Sequence, residues 1–282
     1  MSVGIRIGLL VGLMFISVPF SAIAGGGGGT DIERDTVGVV QGTKWILRSS
    51  NDSACTTATL IQFNFGEATD KHLSADLDGD GLDQATLFRD SDGFGSFFIR
   101  DANESGAGNT RINFGAVGDL PIAGNFDTTD AGDEVAVYRQ SNNTFYIQTD
   151  SGTVQFGGGG AGDVPVAGNW DNSVDGSDEV GLFRPSTNQF FLFSENSGSA
   201  TKTTRILGAT GDLPTVGDWD GDGSTTIGAH RDQTSAGRGG RFYFNNMTTG
   251  GGSEFDLAFG GGTDDPVSGD WDGPMVDEDG CP

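Results

Sequence analysis

The amino-acid sequence predicts an all-β protein, a propeller of five four-stranded blades. Three observations predict it: a motif that recurs five times, four strand-like runs in each period, and no useful stretch of helical periodicity. The motif joins an aromatic residue or Leu to Gly, then a short loop, Asp-x-Pro, and a small-residue run ending in Trp/Phe-Asp. Its copies run from Phe114-Gly115 through Gly118-Asp119-Leu120-Pro121 to Asp127, and from Phe156-Gly157 through Asp163-Val164-Pro165 to Asp171. Two more run from Leu207-Gly208 through Asp212-Leu213-Pro214 to Asp220, and from Phe259-Gly260 through Asp265-Pro266 to Asp272. A diverged copy without proline runs from Phe65-Gly66 through His72 to Asp78. The closing aspartates stand 49, 44, 49 and 52 residues apart, the spacing of propeller blades.

Taken in chain order, residues 1–24 read as a secretory signal. Arg6 supplies the positive end, Ile7–Phe20 the apolar stretch, and Ala22-Ile23-Ala24 the small-residue cleavage site. The apolar stretch falls short of the ~20 residues of a membrane span, so no transmembrane segment is expected after cleavage. A Gly-rich linker, 25–30, leads to a single propeller domain, 31–282. Asp35–Val39 and Lys44–Arg48 match strands two and three of a unit, and Thr59–Phe65 matches strand four. The first unit thus lacks strand one, while the last, Pro266–Trp271, is nothing else. Docking that C-terminal strand into the first blade would close the ring and remove the exposed sheet edges. A central unit shows the full set: Val164–Trp170, Glu179–Arg184, a turn at Pro185–Asn188, Gln189–Phe193 and Thr203–Leu207.

The chain has two cysteines, Cys55 and Cys281. In the closed topology Cys55 lies in a loop of blade one and Cys281 follows that blade's borrowed strand, on the same face. An oxidising compartment favours a Cys55–Cys281 disulfide, closing a loop of 226 residue steps and contributing on the order of 5 kcal/mol by chain entropy. Two separate thiols are the alternative.

Forty acidic residues stand against fifteen basic ones, for a net charge of −25. That balance excludes nucleic acid, which clustered Lys and Arg bind, and it favours hard cations. The acids gather between strands one and two. Blade two reads Asp76-Leu77-Asp78-Gly79-Asp80-Gly81-Leu82-Asp83-Gln84. Alternating carboxylates with turn-forming glycines can wrap oxygens around calcium. Asp76, Asp78 and Asp80 are the expected side-chain ligands, with the Leu82 carbonyl and Asp83 or Gln84 closing the sphere. Blade five repeats the core as Asp218, Asp220 and Asp222, followed by Ser224. Blade three offers Asp127, Asp130 and Asp133 after Asn125, in a longer loop. Blade four offers Asp171, Asp175 and Asp178 after Asn169. Blade one's version is split between Asp270, Asp272 and Asp35.

With these residues together, Phe-Gly…Gly-Asp-x-Pro…Gly-Asp-Trp-Asp-Gly-Asp-Gly…Gly-x-Phe-Arg, the chain resembles the FG-GAP/VCBS-type repeats of bacterial secreted proteins. The integrin α-subunit propeller carries a related pattern. The resemblance covers nearly the whole mature chain. It implies calcium in the Asp-rich loops, best matched at Asp76, Asp78, Asp80 and at Asp218, Asp220, Asp222. Such propellers more often have seven blades; five are counted here.

No nucleophile elbow, phosphate loop or zinc pattern is present. His72 opens a diverged strand, and His230 stands where Phe88, Tyr138 and Phe183 stand in other units, before a recurring arginine (Arg89, Arg139, Arg184, Arg231). The arginines read as salt-bridge partners of nearby loops. Trp45, Phe98, Tyr146, Phe191 and Tyr243 read as packing residues of strand three. The expectation is an exported, monomeric, calcium-stabilised and non-catalytic module, extracellular or periplasmic, that binds an extracellular protein or glycan. A secreted glycan-cleaving enzyme with paired carboxylates in the central funnel is the alternative, as is a lectin with pockets between blades.

Overall fold

Runs rich in Val, Ile, Phe and Thr, punctuated by Gly, Asn and Asp, are short strands separated by tight turns. The computed structural model describes residues 34–52, 58–91, 93–129, 131–171, 176–246 and 252–271. They hold twenty strands and one short 3₁₀ turn, Thr234–Ala236. Blade one contains β1 (Thr36–Gln41), β2 (Lys44–Arg48) and β3 (Leu60–Asn64). Blade two is β4 (Lys71–Ala75), β5 (Gln84–Arg89), β6 (Ser96–Ile99) and β7 (Thr110–Asn113). Blade three is β8 (Leu120–Gly124), β9 (Glu134–Arg139), β10 (Thr144–Thr149) and β11 (Gly152–Gly157). Blade four is β12 (Val164–Gly168), β13 (Glu179–Arg184), β14 (Gln189–Phe193) and β15 (Lys202–Ile206). Blade five is β16 (Leu213–Gly217), β17 (Thr226–Asp232), β18 (Gly240–Asn245) and β19 (Phe255–Ala258), and β20 (Asp265–Gly269) follows.

Every sheet is antiparallel, and β20 completes the first as its innermost strand, in the order β20-β1-β2-β3. Thr36 pairs with Gly269 and Val40 with Asp265. The innermost strands adjoin around the axis in the cycle β20, β4, β8, β12, β16 and back to β20. The protein is therefore a closed five-bladed propeller, as the sequence predicts. Cys55 and Cys281 lie outside the described residues, as do Asp130, Asp175 and Asp272.

The core lies between successive blades. In each blade the second or third residue of strand three is a fully buried aromatic: Trp45, Phe97, Phe145, Phe190 or Phe242. Four of them pack edge-on or tilted against the strand-two residue opposite, Phe88, Tyr138, Phe183 or His230, with centroids 4.6–5.0 Å apart. Trp45 belongs to this set, because it pairs with Val40 as Phe97 pairs with Phe88. That corrects its grouping with Phe98, whose counterpart in blade one is Ile46.

Outside the core, each of the four recurring arginines is held from two sides. Arg89, Arg139, Arg184 and Arg231 grip Asp70, Asp119, Asp163 and Asp212 through two bonds of 2.6–2.8 Å. Their guanidinium carbons sit 4.4–4.9 Å from the ring centres of Phe98, Tyr146, Phe191 and Tyr243. Blade one lacks both partners at once: Gln41 replaces the arginine, bonding Asp264 at 2.8 Å, and Ile46 replaces the aromatic. The same aspartates accept an N–H from three residues upstream, as Gly160 to Asp163 at 2.8 Å, which folds the loop entering strand one.

Those loops turn on a glycine with positive φ, four residues before the aspartate: Gly66, Gly115, Gly159, Gly208 and Gly260. Phe156-Gly157 is thus displaced by two residues from its structural equivalent, Gly158-Gly159. Phe193 from blade four is the reason. A Cβ on Gly158 would stand 2.7 Å from its ring, so Phe156 supplies the aromatic one turn earlier and packs on Phe145 and Phe193.

Candidate functional site

The loop after β4 is built by its first carboxylate. Asp76 Oδ1 accepts the N–H groups of Gly79 and Asp80 at 2.8 and 3.2 Å, and Oδ2 that of Gly81 at 2.9 Å. The turn needs positive φ at Gly79 and Gly81, 74° and 90°, where a side chain would be strained. Asp80 then caps the Leu82 N–H at 3.0 Å. The loop after β16 repeats this bond for bond. Asp218 takes Gly221, Asp222 and Gly223 at 2.8, 3.2 and 2.7 Å, and Asp222 takes Ser224 at 2.8 Å. In each loop three carboxylates, Asp76/Asp78/Asp80 and Asp218/Asp220/Asp222, bring one oxygen apiece within 4.8 Å of the others. Among the described residues these are the two groups that do so.

Packing acids this closely raises the energy of their charged forms. Burial pushes Asp76 above the usual carboxylate range, with repulsion from Asp78 adding to it. Asp218 is pushed up to about 6, mainly by burial and further by Asp222. A hard cation would offset both effects with charge the protein itself lacks there, and the donor set is all oxygen. The residues present therefore fit calcium.

The remaining expected ligands have other places. Gln84 ties the blade-two loop to its strand, accepting from Leu77 N–H at 3.0 Å and donating to Asp78 at 3.1 Å and the Leu82 carbonyl at 2.5 Å. Glu134 does the same in blade three, taking the N–H groups of Phe126 and Asp127 at 2.7 and 3.2 Å. The blade-three loop is held differently. Asn125 accepts a single loop N–H, from Thr128 at 3.1 Å, and Thr128 sits at φ 54° without being glycine. Asp127 is turned to Thr129 and Asp150; the Thr129 hydroxyl, before all else, holds its carboxyl below the usual range. In blade four Asn169 donates instead to the Gly223 carbonyl at 3.3 Å, and Asp171 lies exposed at the loop's start.

Asp83, Asp133 and Asp178 join none of the loops. Each is buried and reaches the preceding blade. Asp83 accepts the Asp270 N–H at 2.8 Å, Asp133 that of Asp76 at 3.0 Å, and Asp178 that of Asn125 at 3.1 Å. Asp35 does the same to Asp218 at 2.8 Å, and Thr225 Oγ1 to Asn169 at 3.1 Å. In turn, the backbone N–H groups of Asp83, Asp133, Asp178, Asp35 and Thr225 donate to the carbonyls of Asp270, Asp76, Asn125, Asp218 and Asn169 at 2.6–2.9 Å. Five paired clasps therefore join the blades around the axis, and Asp35 of blade one completes the ring. Small residues end strand one because of them: a Cβ at Gly124, Gly168 or Gly269 would lie 2.3–2.7 Å from the next blade's Asp178, Thr225 or Asp83. Burial pushes Asp35, Asp83 and Asp178 well up, and Asp133 to about 8. The signal in the sequence was an Asp or Thr just before every strand two, masked by its nearness to the acidic loops.

The two histidines are both buried. His72 stands where the other blades have proline and contacts Asp265 at 2.8 Å. His230 packs on Phe242, and burial lowers it to about 4. The chain matches no protein-family model and none of the curated proteins.

Proposed function

We propose that the protein is an exported, non-catalytic binding module of the FG-GAP/VCBS type, with calcium held in the loops of blades two and five. The observation carrying this reading is the bond-for-bond identity of those two loops, each converging three carboxylates. Two independent chain segments keep the same arrangement although the blades between them do not. Asp76, Asp78 and Asp80 would hold one ion, Asp218, Asp220 and Asp222 the other. Calcium supplies positive charge and crosslinks each loop, making one face of the ring rigid enough to present to a partner.

A non-catalytic role is supported by the condition of the other acids. Asp35, Asp83, Asp133 and Asp178 are bound to neighbouring backbone and shielded from solvent, so they hold blades together. Export is supported by the leader-like residues 1–24. Titration with calcium tests the reading: two ions per chain are expected, one lost in Asp78→Asn/Asp80→Asn and the other in Asp220→Asn/Asp222→Asn. Chelation should lower Tm in the parent and not in the combined variant. An unchanged melting curve after EDTA and back-titration would overturn it. A pull-down from extracellular material, in calcium and again in EDTA, tests the binding role.

A further inference from the structure

The residue facing the buried aromatic of strand three, on the outer strand, is apolar in four blades: Phe63, Ile112, Phe156 and Leu257. In blade four it is Arg205, paired with Phe190. That face meets blade five, and there a cleft of ≈110 Å³ opens between the blades, lined by Arg205, Trp170, Asp171, Thr203 and Thr226 among others. Arg205 makes no ion pair among the described residues. Among the described residues its guanidinium makes one hydrogen bond, a 3.5 Å contact to the neighbouring Thr204 carbonyl. Asp171 lines the same cleft without coming within ion-pair distance, so among the described residues the guanidinium has no carboxylate partner and stays open to an outside acceptor.

We infer that this cleft binds a carboxylated sugar, with Arg205 holding the carboxylate. The inference rests on the binding-module reading and deepens it. The guanidinium fork matches a carboxylate in two bonds. Trp170 offers an apolar ring to the C–H face of a sugar, while Thr203 and Asp171 offer a hydroxyl and acceptors to its hydroxyl groups. The equivalent cleft between blades two and three, ≈350 Å³, has Ile112 in the place of Arg205 and is lined by Asp78, Glu134 and Asp150. With Ile112 there it offers no guanidinium fork to a carboxylate and serves as an internal control.

Calorimetric titration of the full chain with trigalacturonate, with its methyl ester and with a glucuronate- and sialate-bearing panel tests this. At least one acidic sugar should bind, with affinity falling tenfold or more when its carboxylate is esterified. Arg205→Ile, which installs the blade-two residue, should abolish binding while leaving Tm and the calcium response unchanged; Arg205→Lys should keep part of it. Equal binding by the ester or by Arg205→Ile would overturn the inference, as would silence across the whole panel. A Glu-rich peptide bound through Arg205 in place of any sugar would overturn the sugar assignment. A partner bound equally by parent and Arg205→Ile would refute the cleft and leave the binding-module reading standing.

Discussion

His230 shows what one position in a repeat can change. It fills the slot of Phe88, Tyr138 and Phe183, but its ring can take a proton. Folding holds it near 4 against an ordinary 6.5, so between those values the unfolded chain binds a proton that the folded chain does not. Stability therefore falls as pH drops from 6.5 to 4, by about 3 kcal/mol for this residue. The buried axial acids slope the other way, since their raised values favour folding at low pH. The comparison of His230→Phe with the parent isolates the histidine: the variant should gain in urea midpoint relative to the parent as pH falls through that window. A second residue-scale expectation concerns Asp163, which is buried while Arg184 stays partly exposed. Asp163→Ala leaves the Gly160 N–H and the guanidinium without their acceptor. It should cost about 2–3 kcal/mol in chemical denaturation, and Asp163→Asn less.

Between single elements, the blade-to-blade clasp is the recurring device. Gly168 lies against Thr225 so closely that an added Cβ would meet its methyl carbon at 2.3 Å. Gly168→Ala should destabilise by about 1–3 kcal/mol through overpacking. Thr225→Ser, which removes that methyl and keeps the accepting hydroxyl, should recover part of the loss in the double variant, a coupling readable by a mutant cycle. The strand β20 acts at the same scale over a longer reach, pairing with β1 across the whole sequence. A chain ending before Asp265 leaves blade one without its innermost strand and Asp83 without its clasping partner Asp270. Such a chain should lose its single cooperative thermal transition, and a peptide covering 263–272 should restore it.

For the molecule as a whole, the period, the strand content, the five-blade count and the closure by the last strand were all legible in the sequence. Each is a local pattern repeated along the chain, and repetition makes local patterns visible. The aspartate loops at 76–80 and 218–222 were legible for the same reason, because all their clustered carboxylates lie within five residues. What sequence alone misplaced depends on neighbours distant in the chain. Asp83, Asp133 and Asp178 follow acidic loops and read as part of them, yet each is drawn to the backbone of the preceding blade. Trp45 reads as a partner of Phe98 until strand pairing sets its register, and Phe156-Gly157 reads as a repeat element until Phe193 from the next blade occupies the space. Arg205 looks like any strand charge until blade five packs beside it and leaves a cleft there. The chain by itself determined that five similar units would form, because hydrophobic alternation and turn residues act over a few positions. Only the closed ring decided which acids serve as clasps and which stay in open loops, because burial and hydrogen-bond partners at a blade interface come from residues some 50 or more positions apart.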